Sequence, residues 1–195
     1  MKIPLEMRNM ILRQRLFSDQ KLKLFGRILV SYYHRGNFLW KHWAINENNK
    51  PYLKEGKPFN ISHSGDLVVV AFSKEEVGVD IQEMSELNVN ELINFFHTEE
   101  QKFIRNASDI SDAFFEIWTK KEAYLKAVGK GLLFGLEKEN ILEFQKSEEK
   151  TWNFIPVELE NNYKTVVCTE VENAQVNVYN ITLDQLTENN KQELN

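Results

Sequence analysis

Cysteine is nearly absent: Cys168 is the only one in 195 residues, so no internal disulfide can form. That excludes a disulfide-stapled secreted scaffold and fits a reducing compartment. Proline and glycine are scarce, at 4 and 8 residues, which argues against wholesale disorder. There is no long apolar run. The longest strongly apolar stretch, Leu67 to Phe72, is strand-sized and far too short to span a bilayer. The first residues carry charges at Lys2, Glu6 and Arg8 with no apolar run between them, so they are read as neither a signal peptide nor a membrane anchor. A basic excess is missing too: 24 Lys and Arg stand against 29 Asp and Glu, for a net charge of −5. Nucleic-acid binders usually carry such an excess, although a local cluster of cations can still bind a small anionic ligand. These absences predict a soluble, cytoplasmic protein. What is present is core material, 42% hydrophobic and 12% aromatic, in a length that suits one large domain or two small packed halves.

Helical spacing of Leu22, Phe25, Leu29 and Tyr32 predicts a helix over Ser18 to Tyr33, capped by Ser18, with Gly36 past its end. A turn-rich stretch, 46–58, precedes three extended runs at Phe59 to Ser62, Leu67 to Phe72 and Val77 to Ile81, which read as an antiparallel meander. A second helix begins at Thr98, with Gln101 at the capping-box position, and a longer one runs from Ser111 to Val128 and stops at Gly129. Extended runs follow at Ile141 to Gln145, Trp152 to Ile155, Lys164 to Cys168 and Val176 to Ile181. Helix first and sheet after, twice over, predicts an α+β fold of two similar halves, 1–85 and 86–195, joined near residues 82–90.

Three islands carry chemistry. In Phe59-Asn60-Ile61-Ser62-His63-Ser64-Gly65, hydroxyls, an imidazole and turn N–H groups can cradle phosphate, or simply decorate a hairpin turn. In Val77-Gly78-Val79-Asp80-Ile81-Gln82, strand alternation turns Asp80 and Gln82 to one face. An aspartate there needs a partner, for which a metal ion is adequate, unless the strand is an edge and Asp80 faces water. In Trp118-Thr119-Lys120-Lys121-Glu122-Ala123-Tyr124-Leu125-Lys126, the residues Trp118, Glu122 and Lys126 form one helix stripe. Glu four residues before Lys is also the order of an ordinary surface pair, but the aromatic residue in the stripe argues for a partly buried face.

The series F-N-I-S-H-S, then G-V-D-I, then W-x-x-K-E-A-x-x-K and G-x-G-L, resembles the 4′-phosphopantetheinyl transferase superfamily, most of all its monomeric, two-half, Sfp-type branch. Arg13 to Val30 looks like that family's N-terminal helix, and Asn49-Lys50-Pro51 is similar to its Gly-Lys-Pro motif. The resemblance implies a pseudo-dimer of two α+β halves with coenzyme A in the cleft between them. It implies transfer of the 4′-phosphopantetheine arm of coenzyme A to a serine of an apo acyl or peptidyl carrier protein, releasing adenosine 3′,5′-bisphosphate. Asp80 and Glu122 match the family's Mg²⁺ ligands, Lys126 its phosphate-contacting lysine, and Ser62 and His63 residues at the 3′-phosphate end of coenzyme A. Lys50 matches the lysine near the nucleotide, while Arg13, Arg15 and Lys23 are candidates for further phosphate contacts. Many members carry a second acid where this chain has Gln82, whose amide oxygen can ligate a metal without adding charge. Mg²⁺ is therefore expected to bind weakly without the diphosphate.

The segment after the aspartate strand, Met84 to Phe96, corresponds to the carrier-facing surface, with Met84, Leu87, Leu92, Phe95 and Phe96 as apolar candidates that could equally pack in the core. His34, His42 and His97 have no partner at ligand spacing, and Cys168 reads as an inert buried thiol. Asp80, Glu122, His63 and Lys126 would also serve a metal-dependent phosphohydrolase, and Gln82 would suit an inactive coenzyme A or carrier binder.

Overall fold

A computed structural model describes residues 17–34, 42–85, 89–130, 137–144 and 152–186, and side chains from Gln20 onward. Ser18's side chain, Gly36 and the basic residues Arg13 and Arg15 lie outside the described part.

Helix α1, Phe17–Tyr33, is followed by a two-stranded hairpin of β1, Trp43–Ile45, and β2, Pro51–Leu53. Asn46 Oδ1 closes its turn by accepting from Asn48 N and Lys50 N at 3.0 and 2.8 Å. Asn49 takes a left-handed φ of 66° there, a conformation that asparagine tolerates better than most side chains. Strands β3, Phe59–Ser64, and β4, Leu67–Phe72, form a second antiparallel pair, and Val30 of α1 is buried with Phe59 of β3.

Strand β5, Val77–Glu83, lies at one edge of a three-stranded sheet with β7, Tyr163–Thr169, in the centre and β6, Asn153–Pro156, beyond it. Between β5 and β6 in the chain come α2, Val89–Leu92, a 3₁₀ turn at Ile93–Phe95, α3, Thr98–Arg105, and the long α4, Ile110–Val128. Asp109 caps α4, its side chain accepting from Asp112 N at 2.9 Å, and Gly129 ends it at a left-handed φ of 68°. The side of α4 away from the sheets buries Phe114 and Ile117 with Phe96, Ile93 and Ile104, while Tyr124 and Leu125 meet Trp152 and Cys168. Full burial of a side chain such as Phe114 contributes about 1.5–3 kcal/mol.

The expected meander of 59–81 is not what forms. β3 and β4 pair, but β5 spends its backbone on β7, from Val77 opposite Thr169 to Glu83 opposite Tyr163. Its open edge is satisfied instead by side chains of β3. Val79 N donates to Asn60 Oδ1 at 2.9 Å, Ile81 N to Ser62 Oγ at 3.4 Å and Glu83 N to Ser64 Oγ at 2.9 Å. Three polar residues at every second position of one strand thus replace the backbone of a neighbouring strand for the N–H groups of Val79, Ile81 and Glu83.

Two expected strands are also absent among the described residues. Residues 141–144 form turns, with Asn140 Oδ1 accepting from Leu142 N at 3.2 Å, and 176–181 is a segment without regular secondary structure, exposed from 176 to 180. The capping box of α3 uses Glu100 rather than Gln101. His97 is the N-cap, and its N–H donates to Glu100 Oε2 at 3.1 Å while its Nδ1 accepts from Glu99 N at 3.3 Å. Imidazole nitrogen can play the capping oxygen's part, which a search for Ser, Thr, Asp or Asn overlooks.

Candidate active site

Asp80 projects from the middle of β5 and is 0% exposed, so it is no edge residue facing water. Its Oδ1 accepts from Ser62 Oγ at 2.9 Å and from Lys126 Nζ, and its Oδ2 accepts from Gln82 Nε2 at 2.8 Å. Ser62 also accepts from Lys126 Nζ at 2.9 Å. With Ile81 N on its other lone pair, the Ser62 hydroxyl has used its one donor and both acceptor sites.

Helix α4 brings Glu122 and Lys126 to the same place, one turn apart, with Lys126 Nζ 3.7 Å from Glu122 Oε2. Trp118, one turn earlier, stays in the core, its ring stacked on Phe114 at 5.9 Å. The stripe therefore runs from the core into the site.

Gly78 permits this meeting. A Cβ on Gly78 would stand 1.9 Å from the carbonyl oxygen of Ala123 and 2.5 Å from the amide nitrogen of Ala127. The backbones of β5 and α4 touch there, two residues before Asp80 and one after Glu122. Close backbone approach is a use of glycine that no side chain can share.

Two carboxylates share one ammonium, leaving the cluster one charge negative. Burial, and then the Asp80 charge, push the Glu122 carboxyl up to about 7, with Lys126 opposing. Folded chains therefore hold this proton between 4.5 and about 7, where unfolded ones release it. The folded pKa lies above the unfolded one for an acid, so stability is highest below that window and falls as pH rises through it. The loss is at most about 3 kcal/mol. In metal-free buffer the parent should melt close to Glu122→Gln at pH 5 and about 5–10 °C below it at pH 8. An unchanged difference between the two pH values would refute this account of the carboxyl.

The remaining candidates divide. His63 is half-buried on β3, next to Ser62 and on the opposite strand face. Lys50 Nζ donates to the carbonyl of Ala127 at 2.7 Å and to Glu76 Oε2 at 2.8 Å, so it reaches the final turn of α4 beside Lys126. Lys23 stands on α1, where its carbonyl accepts from Arg27 Nη1 at 3.3 Å. Gln82 turns its amide nitrogen to Asp80. Glu83, the next residue, cannot supply the second acid, because it points to the other face and packs on the Gly65 turn. Of the residues expected to meet a carrier, Phe96 is buried, Met84 and Leu92 pack against the core, Phe95 is 56% exposed, and Leu87 lies outside the described residues. Cys168 is fully buried, and burial pushes its thiol up.

The residues around this cluster match a known pattern. The model of the "4'-phosphopantetheinyl transferase superfamily" matches residues 76–182. The 4'-phosphopantetheinyl transferase gsp of Aneurinibacillus migulanus is 33% identical over 168 residues, covering 77% of this chain and 69% of that protein. This chain belongs to the 4′-phosphopantetheinyl transferase superfamily. The transferase ffp of Bacillus subtilis is 29% identical, with 77% and 74% covered. The human "L-aminoadipate-semialdehyde dehydrogenase-phosphopantetheinyl transferase" is 29% identical over 189 residues, with 77% of this chain and 61% of that protein covered. The span matched by the superfamily model opens one residue before β5 and contains Asp80, Gln82, Glu122 and Lys126. Among the described residues, no group of three or more His, Cys, Asp and Glu side chains converges, and no helix is long and apolar enough to cross a membrane.

Proposed function

We propose that this chain transfers the 4′-phosphopantetheine arm of coenzyme A to a serine of an apo acyl or peptidyl carrier protein, releasing adenosine 3′,5′-bisphosphate, with Mg²⁺ at Asp80 and Glu122. Phosphopantetheine transfer is the activity of the superfamily to which the chain belongs. The observation that carries the site assignment is the buried cluster of Asp80, Glu122 and Lys126, built from β5 and α4.

The donor set fits a hard divalent cation. Its ligands are oxygens, burial and then the Asp80 charge raise the Glu122 carboxyl, and with both carboxylates ionised the surplus charge is negative. Asp80 and Glu122 would hold the ion, with the Gln82 oxygen as a neutral third ligand once its amide turns over. Bound there, Mg²⁺ would polarise the diphosphate and offset the charge growing on the departing bisphosphate.

The chain's own groups do the rest. Glu122 would take the proton of the attacking serine hydroxyl. Lys126 places its ammonium where the leaving phosphate gains charge. Ser62 holds Asp80 and Lys126 in place, and its one O–H can donate to phosphate only by leaving Asp80. His63, Lys23, Arg13 and Arg15 are assigned to the phosphates of coenzyme A, and Lys50 to the nucleotide side. The carrier is placed on the segment 84–96 with Phe95 as its exposed apolar contact. Halves 1–85 and 86–195 would both build the site, the first supplying Ser62 and Asp80, the second Glu122 and Lys126, with β5 of the first paired to β7 of the second. The working unit is proposed to be a cytoplasmic monomer.

Intact-protein mass spectrometry of an apo carrier incubated with this protein, coenzyme A and Mg²⁺ tests the assignment. One added phosphopantetheine is expected, lost with EDTA and in Glu122→Ala. Coenzyme A consumed without carrier modification would reveal a hydrolase. Coenzyme A bound without any turnover, across several carrier types, would reveal an inactive binder.

A further inference from the structure

Among the described residues, two charged side chains outside the site are almost wholly buried: Lys121 is 1% and Glu100 0% exposed. Lys121 Nζ lies 2.6 Å from Glu100 Oε2 and 2.8 Å from Oε1, and donates also to the carbonyl of Glu139. The Glu100 carboxylate accepts in turn from Ile141 N at 2.9 Å and from His97 N at 3.1 Å. The ammonium stands 5.8 Å over the ring of Phe96. One ion pair thus ties α4 to the start of α3 and to the segment around Glu139–Ile141.

Such a pair is a poor way to gain stability, because well-packed apolar residues of the same volume often do as well or better. Its directional bonds do something else. Lys121 immediately precedes Glu122, and consecutive helical side chains point about 100° apart. On its other side α4 meets β5 through Gly78, Ala123 and Ala127, and Phe114, Ile117 and Leu125 hold it by apolar packing. Apolar packing is not directional, whereas the bonds of the pair fix one orientation of the helix about its axis.

We propose that the Lys121–Glu100 pair is a positioning pair, which sets the rotation of α4 about its axis and so aims Glu122 at Asp80. This rests on the reading of Glu122 as the working carboxylate. The pair touches no reacting atom, and its effect is felt through Glu122.

The test is the double variant Lys121→Met/Glu100→Gln in the full chain, beside Lys121→Leu/Glu100→Gln. The glutamine keeps an acceptor for Ile141 N or His97 N and offers its NH₂ to the Glu139 carbonyl. Three quantities are read: thermal midpoint, coenzyme A affinity by calorimetry with and without Mg²⁺, and kcat on an apo carrier. The double variant should keep its midpoint within a few degrees and its magnesium-free affinity within about threefold. Its magnesium-dependent gain in coenzyme A affinity, and its kcat, should each fall about tenfold, as small displacements at a site cost. A folded double variant with both within about twofold of the parent overturns the proposal. If the double variant does not fold, Lys121→Leu/Glu100→Gln, which also leaves no unpaired charge, is read by the same criteria. Midpoint and magnesium-free affinity falling while the magnesium-dependent gain is kept would show a merely structural pair. A parent with neither transfer nor any magnesium-dependent gain would overturn the reading of Glu122 itself, and the proposal with it.

Discussion

Gly78→Ala is expected to cost at least about 3 kcal/mol of stability, and to remove measurable transfer from whatever folded protein remains. The new methyl carbon would sit 1.9 Å from one backbone atom of α4 and 2.5 Å from another. No rotamer change relieves that, because both obstacles are main chain. Moving β5 would break its seven-residue register with β7 and its side-chain ladder to β3. Moving α4 by more than an ångström would open the core around Phe114 and Ile117, and would carry Glu122 away from Asp80. Urea or thermal unfolding reads the first effect, and carrier mass spectrometry the second. A variant melting within 2–3 °C of the parent, well under the ~6 °C or more that such a loss implies, would mean that the strand and helix are not held where this account puts them.

Lys126→Met is expected to lower kcat by about 10²–10³ and to make stability depend on Mg²⁺. Among the described residues, the Lys126 ammonium is the one cation bonded to both Ser62 and Asp80 and within 4 Å of Glu122. Methionine keeps much of the side-chain volume and removes the charge, so Asp80 and Glu122 face each other unneutralised. Removing one partner of a buried pair commonly costs 3–5 kcal/mol, an upper figure here because Lys126 is 28% exposed. A divalent cation bound as proposed would offset the same two carboxylates. The variant should therefore melt well below the parent in EDTA and recover more than the parent does when Mg²⁺ is added, without regaining turnover. Equal Mg²⁺ responses in parent and variant would separate the lysine from the metal site.

Much of this site was legible in the sequence because its parts are local. An aspartate amid β-branched residues, a Glu and Lys one helical turn apart, and a glycine stopping that helix are each visible within a few positions. Helix α4 was placed to within one residue at its start and matched at its end, since Gly129 declares the stop. What misled were runs whose apolar content suited a strand while nothing waited to pair with them. Val176 and Val178 stand exposed, and 141–144 folds into turns. Strand pairing is a property of two segments, and neither carries a mark of the other's absence.

The sequence by itself determined the residue types of the chemistry and their order along the chain, because side-chain chemistry and helical or strand periodicity are local quantities. Only the tertiary structure decided which of them meet. It assigned β5 to β7 instead of β4, turned Asn60, Ser62 and Ser64 into a seam that stands in for a strand, and gave Gly78 its purpose against Ala123 and Ala127. It also joined Lys121 to Glu100 across 21 residues in the buried interior. Such contacts depend on how far apart two backbones come to rest, and that distance is set by the packing of the whole core.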